Sequence, residues 1–400
     1  MRIDVSRDSF DIAQGYTRVL LQQGRPILDR DWNEQTAIVL HQLRMVTRSI
    51  YGRHGGPAGG DCGFIPTISG NDISLKAGWY TVDGLILNCK QDVNCFKQGH
   101  FEPKALENDK TYLIYLEAME REVTAAENID LLETALPGVD MAARGQVVWR
   151  VNHDDKWAGT ATNLSCRDVI EKVNEWAADK RAEQGVGNVS FPESGQAELK
   201  KFVTGKLNQL CRVEFHKGTE WKMSADNAFA LFEVQQAKGN KVTFRLGSLE
   251  SWAPAKGEYV ELLSETNLRF NEPGLLRRVN ETSGSNRSQI DKIDHRTLVL
   301  DQPVGDYSSG GGERRFLRVW NDTITLNMDP ARLKSGDHWQ FEIRGTNQNI
   351  FGSALKRPGR VFAPLALIRT DTSGVPEIIN RFQRIVGIPW RDIDEHLDVG

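Results

Sequence analysis

The sequence predicts a mainly β protein with helical additions (an α+β chain). In it an N-terminal helical attachment segment is followed by β-sandwich or small β-barrel domains. Three observations predict this class. One apolar heptad pattern stands within the first 60 residues. Short runs rich in β-branched and aromatic residues, bounded by Gly, Asn and Asp, fill most of the remainder. Helical patterning returns between residues 159 and 206 and in one short stretch from Pro376. Four hundred residues exceed what one compact core accommodates. Composition shifts divide the chain at 1–60, 61–158, 159–206, 207–330 and 331–400.

In the first segment Asp31-Trp32-Asn33-Glu34 has capping-box form, with Asp31 accepting from the Glu34 amide while Glu34 reaches back. Behind it Trp32, Thr36, Val39, Leu43, Val46 and Ile50 recur at spacings of four, three, four, three and four. That is an a/d seam, which Leu40 widens. Such a seam serves either packing on its own domain or association with a partner or further copies, and fewer than three full heptads do not separate the two. The glycine-rich stretch from Tyr51 to Gly60 stops the helix and reads as a hinge or linker.

In 61–158, Ile73 and Leu75 alternate with polar neighbours after the turn residues Ser69 to Asp72. Trp79 to Leu87 reads as a hairpin around Asp83-Gly84. Tyr112–Leu116 and Val147–Val151 are apolar enough to be strands covered on both faces. Within 159–206, Ser165 and Asp168 suit the start of a helix carrying Val169, Val173, Trp176 and Ala177 on one face, and Gly185 suits its end. This stretch reads as an insertion or bridge.

From 207 to 330, strands are expected at 210–215, 229–234, 242–246, 259–262, 275–279, 297–300 and 316–320, with Lys238-Gly239-Asn240 as a tight turn. Short strands at this spacing favour a barrel or sandwich over a parallel sheet, and the choice between the two stays open. The loop 305–313 is glycine-rich and expected to be mobile. The last segment holds strands at 339–343 and 361–368. A helix is then expected to begin at Pro376, with Ile378, Ile379, Phe382, Ile385 and Val386 as its apolar face and Gly387 as its end.

Composition excludes several roles. A net charge of −4, from 50 basic and 54 acidic residues, gives no electrostatic footprint for nucleic acid. The basic run Arg314 to Arg318 reads as a strand with one charged face. No apolar run approaches the ~20 residues that span a bilayer, so no transmembrane segment is expected. The N-terminus lacks the apolar core of a signal peptide, which points to assembly in the cytoplasm. The five cysteines form no CxxC pair and read as reduced thiols, with Cys89 and Cys95 the one pair a hairpin would bring together.

Motifs for chemistry are missing. There is no P-loop, no Gly-x-Gly-x-x-Gly, no nucleophile elbow and no His-x-x-x-His pair, so no catalytic residue, cofactor or zinc site is expected. Asp29-Arg30-Asp31-Trp32-Asn33 begins like a calcium loop but has Glu34 in place of the glycine and Leu40 in place of the final carboxylate. Carboxylate pairs such as Asp154–Asp155 and Glu120–Glu122 suit a glycosidase only if a groove brings two of them face to face. Exposed aromatics, among them Trp157, Trp252 and Tyr307, could stack on sugar.

The stretch from Gly15 to Gln35, GYTRVLLQQGRPILDRDWNEQ, with Ser6-Arg7-Asp8-Ser9-Phe10 before it, is similar to a bacterial family of no assigned enzymatic activity. That family occurs among the components of phage-tail-like contractile injection systems. Phage tail-fibre and baseplate proteins carry a looser version of the pattern. The likeness extends through 78–84, 113–117, 207–216, 273–279 and 362–367, leaving out 159–206 and the tail after 370. Met223-Ser224-Ala225-Asp226-Asn227 departs from the family's Trp-Ser-Arg-Asp/Glu-Asn, losing an aromatic and an arginine that would hold a turn or a neighbour's carboxylate.

The resemblance implies a non-enzymatic structural subunit of a contractile, tail-like particle, associated with its baseplate, cage, cap or fibres and released from the cell with it. The expected partners are other subunits of the particle, with self-association through the N-terminal helix as one form. The expected attachment element runs from Arg18 to Ile50. Gln22, Gln23, Gly24 and Arg25 form a turn, and Arg25 pairs with Asp29 or with a carboxylate on a neighbour. Trp32, Val39, Leu43, Val46 and Ile50 form the apolar face. The 305–313 loop is a second contact. Two other readings compete: a carbohydrate-binding adhesin at the particle tip, and a polysaccharide-degrading enzyme.

Overall fold

The computed structural model describes residues 1–386 apart from 59, 100, 137–138, 156, 158–165, 188, 207, 284–285, 288–293, 311, 344–353 and 384. It is mainly β, with an extended N-terminal arm leading into helix α1 (Asp29–Tyr51). The strands that follow are β1 (His54–Pro57), β2 (Pro66–Ser69), β3 (Asp72–Leu75), β4 (Gly78–Val82), β5 (Leu85–Cys89), β6 (Val93–Asn94), β7 (Thr111–Val123), β8 (Leu132–Glu133), β9 (Val139–Asp140) and β10 (Arg144–Asp154). Helices α2 (Cys166–Ala182) and α3 (Glu193–Val203) come next. After them run β11 (Gln209–Lys217), β12 (Glu220–Ser224), β13 (Leu231–Lys238), β14 (Lys241–Arg245), β15 (Tyr259–Ser264), helix α4 (Glu265–Phe270) and β16 (Leu275–Thr282). The chain closes with β17 (Asn286–Arg287), β18 (Asp294–Leu300), β19 (Tyr307–Ser308), β20 (Arg315–Trp320), β21 (Asp322–Thr325), β22 (His338–Ile343), β23 (Arg360–Thr370), β24 (Pro376–Arg381) and β25 (Ile385–Val386).

The barrel-or-sandwich alternative resolves to a barrel. Strands β14-β13-β20-β15-β16-β18 pair antiparallel in that order, and β14 pairs with β18 to close the ring. Phe232, Val234, Val242, Phe244, Val260, Leu298, Leu300 and Leu317 fill its interior, as the two-residue period of a closed sheet requires. Closure leaves no long unpaired edge. The strand at 210–215, expected in the same unit, lies instead in a separate four-stranded sheet, β21-β12-β11-β22. Helix α3 covers one face of that sheet with Leu199 and Val203, against Trp221, Trp339 and Phe341.

A third sheet, β10-β7-β23-β24, packs against the β4–β5 hairpin on one face and α2 on the other. The run at 112–116 is continuously apolar because both faces are covered. Ile114 and Leu116 meet the β4–β5 hairpin residues Tyr80, Val82 and Leu87, while Leu113 and Tyr115 meet Val169, Val173 and Trp176 of α2. The 159–206 stretch therefore places α2 on one sheet and α3 on another. Asp83 (φ 46°) and Gly84 (φ 87°) are both left-handed, the geometry of the tight hairpin turn expected there.

Several expectations are corrected. The stretch around 54–57 is not a hinge. His54–Pro57 pairs antiparallel with β4 and parallel with β25, Gly55 and Gly56 are buried, and a side chain at Gly56 would strike Cys62. The segment from Pro376 is a strand, β24, not a helix. It forms a hairpin with β23 through a turn with Gly374 at φ 83°, and Gly387 lies outside the described residues. Arg315–Trp320 is a strand without a charged face, since Arg318 is buried. Within the 305–313 loop Tyr307 and Ser308 pair with β13. Cys62, Cys89, Cys95 and Cys211 are buried, unbonded thiols.

Candidate assembly surface

Residues 1–28 lie extended over the body, fixed at points that are far apart in sequence. The Arg2 guanidinium forks onto Glu214, with Nε to Oε2 at 3.0 Å and Nη2 to Oε1 at 2.7 Å. Asn227, with left-handed φ, donates from Nδ2 to the carbonyls of Met1 and Ile3, at 3.2 and 3.0 Å. The 223–227 stretch, the end of β12 and the turn after it, where the chain departs from the resembled pattern, thus receives the arm. Arg7 pairs with Glu342 at 2.9 Å and Asp8 with Lys356 at 3.1 Å.

Arg2 completes a buried cluster built from three sheets. Glu214 (β11) also accepts from Arg212 Nε at 2.7 Å and lies 3.2 Å from Lys222 Nζ (β12). Lys222 donates to Glu261 (β15) at 2.8 Å and sits over the Trp320 ring at 4.4 Å. Glu122 (β7) is 3.7 Å from Arg2. Burial alone would raise the Glu214 pKa, but Arg2, Lys222 and Arg212 hold it well below the usual carboxylate range. Burial and Lys222 together push His216 down to about 4, so it is neutral near pH 7. Each carboxylate here is neutralised by a neighbour, so the cluster works as a clamp between sheets.

The arm also fixes α1. Asp29 accepts from the Ser6 amide and hydroxyl at 2.8 and 2.6 Å, Glu34 accepts from Ser9, and the Gln35 side chain accepts from Val19 N at 2.7 Å. The helix starts one turn earlier than its capping signal indicates. Leu28 is the cap, and Asp31, at the third helical position, accepts from its amide at 3.4 Å. Toward the C-terminal end Arg44 pairs with Glu120 at 2.7 Å, Arg48 approaches Asp83 at 3.7 Å, and Ile38 is 1% exposed. The Gly84 turn abuts the Arg44 backbone so closely that a Cβ would lie 2.7 Å from its carbonyl oxygen.

At about 100° per residue, Glu34, Ile38, His41, Arg44 and Arg48 share one side of α1. Trp32, Thr36, Val39, Leu43, Val46 and Ile50 share the opposite side. The polar side is the one that meets the body. The apolar seam faces solvent, with Trp32 73% exposed and Leu43, Val46 and Ile50 each 56%. Among the described residues, none packs over the seam as it would on its own domain. Gln22 and Gln23 are exposed, and a turn is present there, with Gly24 at φ 72° and the Arg25 amide bonded to Gln22 O at 3.3 Å. Arg25 has no ion pair among the described residues, and Asp29, its expected partner, is taken by Ser6.

The residues of the competing readings are accounted for. Trp157 is buried, Trp252 packs edge-on to Phe229 and stays 37% exposed, and Tyr307 lies under the Arg315 guanidinium. Asp154 accepts from Trp176 Nε1 at 3.0 Å, and Glu120 is bound to Arg44. A cavity of about 390 Å³ beside the clamp is lined by Arg2, Asp8, Arg44, Glu120, Lys356 and Arg357, all of them already in ion pairs. No group of three or more potential metal ligands occurs among the described residues, and none of their helices is long and apolar enough to cross a membrane.

No curated protein matches this chain. Among solved structures, the crystal structure of TssK aligns over 77% of this chain and 98% of its own length, at 8% identity and a TM-score of 0.20, too low to support any argument about fold or role. The likeness read from the sequence was expected to skip 159–206 and to resume at 207. The family match instead runs through α2 and stops short of α3. Residues 1–190, which carry the arm, α1, the β4–β5 hairpin, β7, β10 and α2, match the model of a family of unknown function, DUF6519.

Proposed function

We propose that this chain is a non-enzymatic structural subunit of a contractile, phage-tail-like injection particle, acting through protein–protein contacts. Its place is at the baseplate, cage, cap or fibre attachment. One observation carries the reading: α1 is pinned by its polar side and presents its apolar heptad seam outward. A surface of this kind loses free energy to hydration until another protein covers it. The GYTRVLLQQGRPILDRDWNEQ motif supplies the link to injection systems. Partners are other subunits, and the subunit is assembled in the cytoplasm and leaves the cell with the particle.

Sedimentation of tail-like particles from cells that encode both tests this. A tagged full-length chain is expected in the particle fraction, and a Val39→Lys/Leu43→Lys variant is expected to stay in the supernatant. Particles that form while the tagged wild-type chain stays behind would remove the reading.

A further inference from the structure

We infer that the outward face of α1 is covered by the same face of further copies of this chain, in a closed symmetric bundle. This deepens the structural reading and rests on it. The heptad register puts Thr36, Leu43 and Ile50 at a and Trp32, Val39 and Val46 at d. The e positions are then Asn33, Leu40 and Thr47, and the g positions Gln35, Gln42 and Ser49. Charged residues at e and g are what usually choose a different partner, or repel an identical one. Here none of the six is charged, so a second copy meets no like-charge repulsion in either orientation.

The charges of α1 are already engaged elsewhere. Arg30 pairs with Asp31, Glu34 with Ser9, Arg44 with Glu120 and Arg48 with Asp83, while Asp29 holds Ser6. They lie outside the seam and leave no charged feature for an acidic or basic partner to read. Leu40 at e widens the stripe beyond the a/d pair of columns on one flank. Pinning at both ends orders the seam before association, which lowers the entropic cost of pairing.

The mass of the full chain in solution decides the matter, measured by light scattering across the micromolar range. The wild type is expected at twice 45.0 kDa or a higher whole-number multiple. The Val39→Lys/Leu43→Lys variant is expected at one chain mass, with an unchanged circular dichroism spectrum, because both side chains are exposed in the single chain. A wild type that stays at one chain mass, or an oligomer that survives the double substitution, overturns self-pairing. The sedimentation assay separates the two failures. A monomeric wild type that still enters particles leaves the structural reading intact, with a different subunit on the seam. An oligomer absent from particles removes the structural reading and keeps the pairing.

Discussion

At the scale of single residues, the charged cluster is where one side chain matters most. Removing Glu214 would leave Arg2, Arg212 and Lys222 facing one another without water, whereas removing Arg2 leaves Glu214 still paired with two cations. Breaking a buried pair by deleting one partner costs about 3–5 kcal/mol. Glu214→Ala is therefore expected to destabilise by about that much and Arg2→Ala by clearly less, read as shifts in urea midpoint at constant slope. Equal losses would mean that the cluster is not organised around Glu214. His216 sets a pH dependence. Its folded pKa of about 4 lies below its unfolded value of 6.5, so the unfolded chain binds the extra proton. The stability it contributes is complete above pH 6.5 and is lost as pH falls toward 4. His216→Gln is expected to flatten the slope of stability against pH in that window, and an unchanged slope would count against a neutral, buried imidazole. None of this was legible beforehand, because Arg2, Glu122, Glu214 and Glu261 are far apart in sequence and meet only through three sheets.

At the scale of elements, legibility followed how local each signal is. The α1 heptads and the Asp83-Gly84 hairpin are specified by residues within one or two turns, and both appear where expected. The Pro376 segment misled because Ile378, Ile379 and Phe382 satisfy helical spacing. Its strand pairing with β23 is a tertiary choice that overrides such a pattern. A glycine that permits close packing, as at Gly56, looks the same in composition as one that permits bending. Even for α1, its existence was readable but not which side would dock, since the docked side is polar and its partners Glu120 and Asp83 lie on β7 and in the hairpin turn. This makes Gly84→Ala informative. It adds a clash against the Arg44 backbone to the strain of a positive φ. Gly70→Ala, at φ 60° with nothing within 4 Å, adds the strain alone. Faster proteolysis within residues 29–51 is expected for Gly84→Ala and not for Gly70→Ala. Equal protection would show that the hairpin turn does not hold the helix.

At the scale of the molecule, the open question is what makes a barrel and separate sheets behave as one rigid mount for α1. Two ionic clamps join the β7 sheet to the rest, one near the C-terminal end of β7 and one at its middle. At Glu122 stands the Arg2–Glu214 cluster, with Lys222–Glu261 leading on into the barrel. At Glu117, Arg150 donates from Nε at 2.9 Å and reaches Glu272, beyond α4, with Nη1 at 2.7 Å. The same guanidinium lies 4.6 Å from the centroids of both Phe101 and Phe270, so it also fills the seam between sheet and barrel. Units joined at two places unfold together while either joint holds, and separately once both are cut. Arg2→Ala and Arg150→Ala are each expected to keep a single calorimetric transition at lower temperature, and the double variant is expected to resolve into two. The coupling shows as a double loss larger than the sum of the single losses. If the double variant still melts in one step, the apolar contacts between the units suffice, and the ionic clamps contribute stability without setting the cooperativity of the fold.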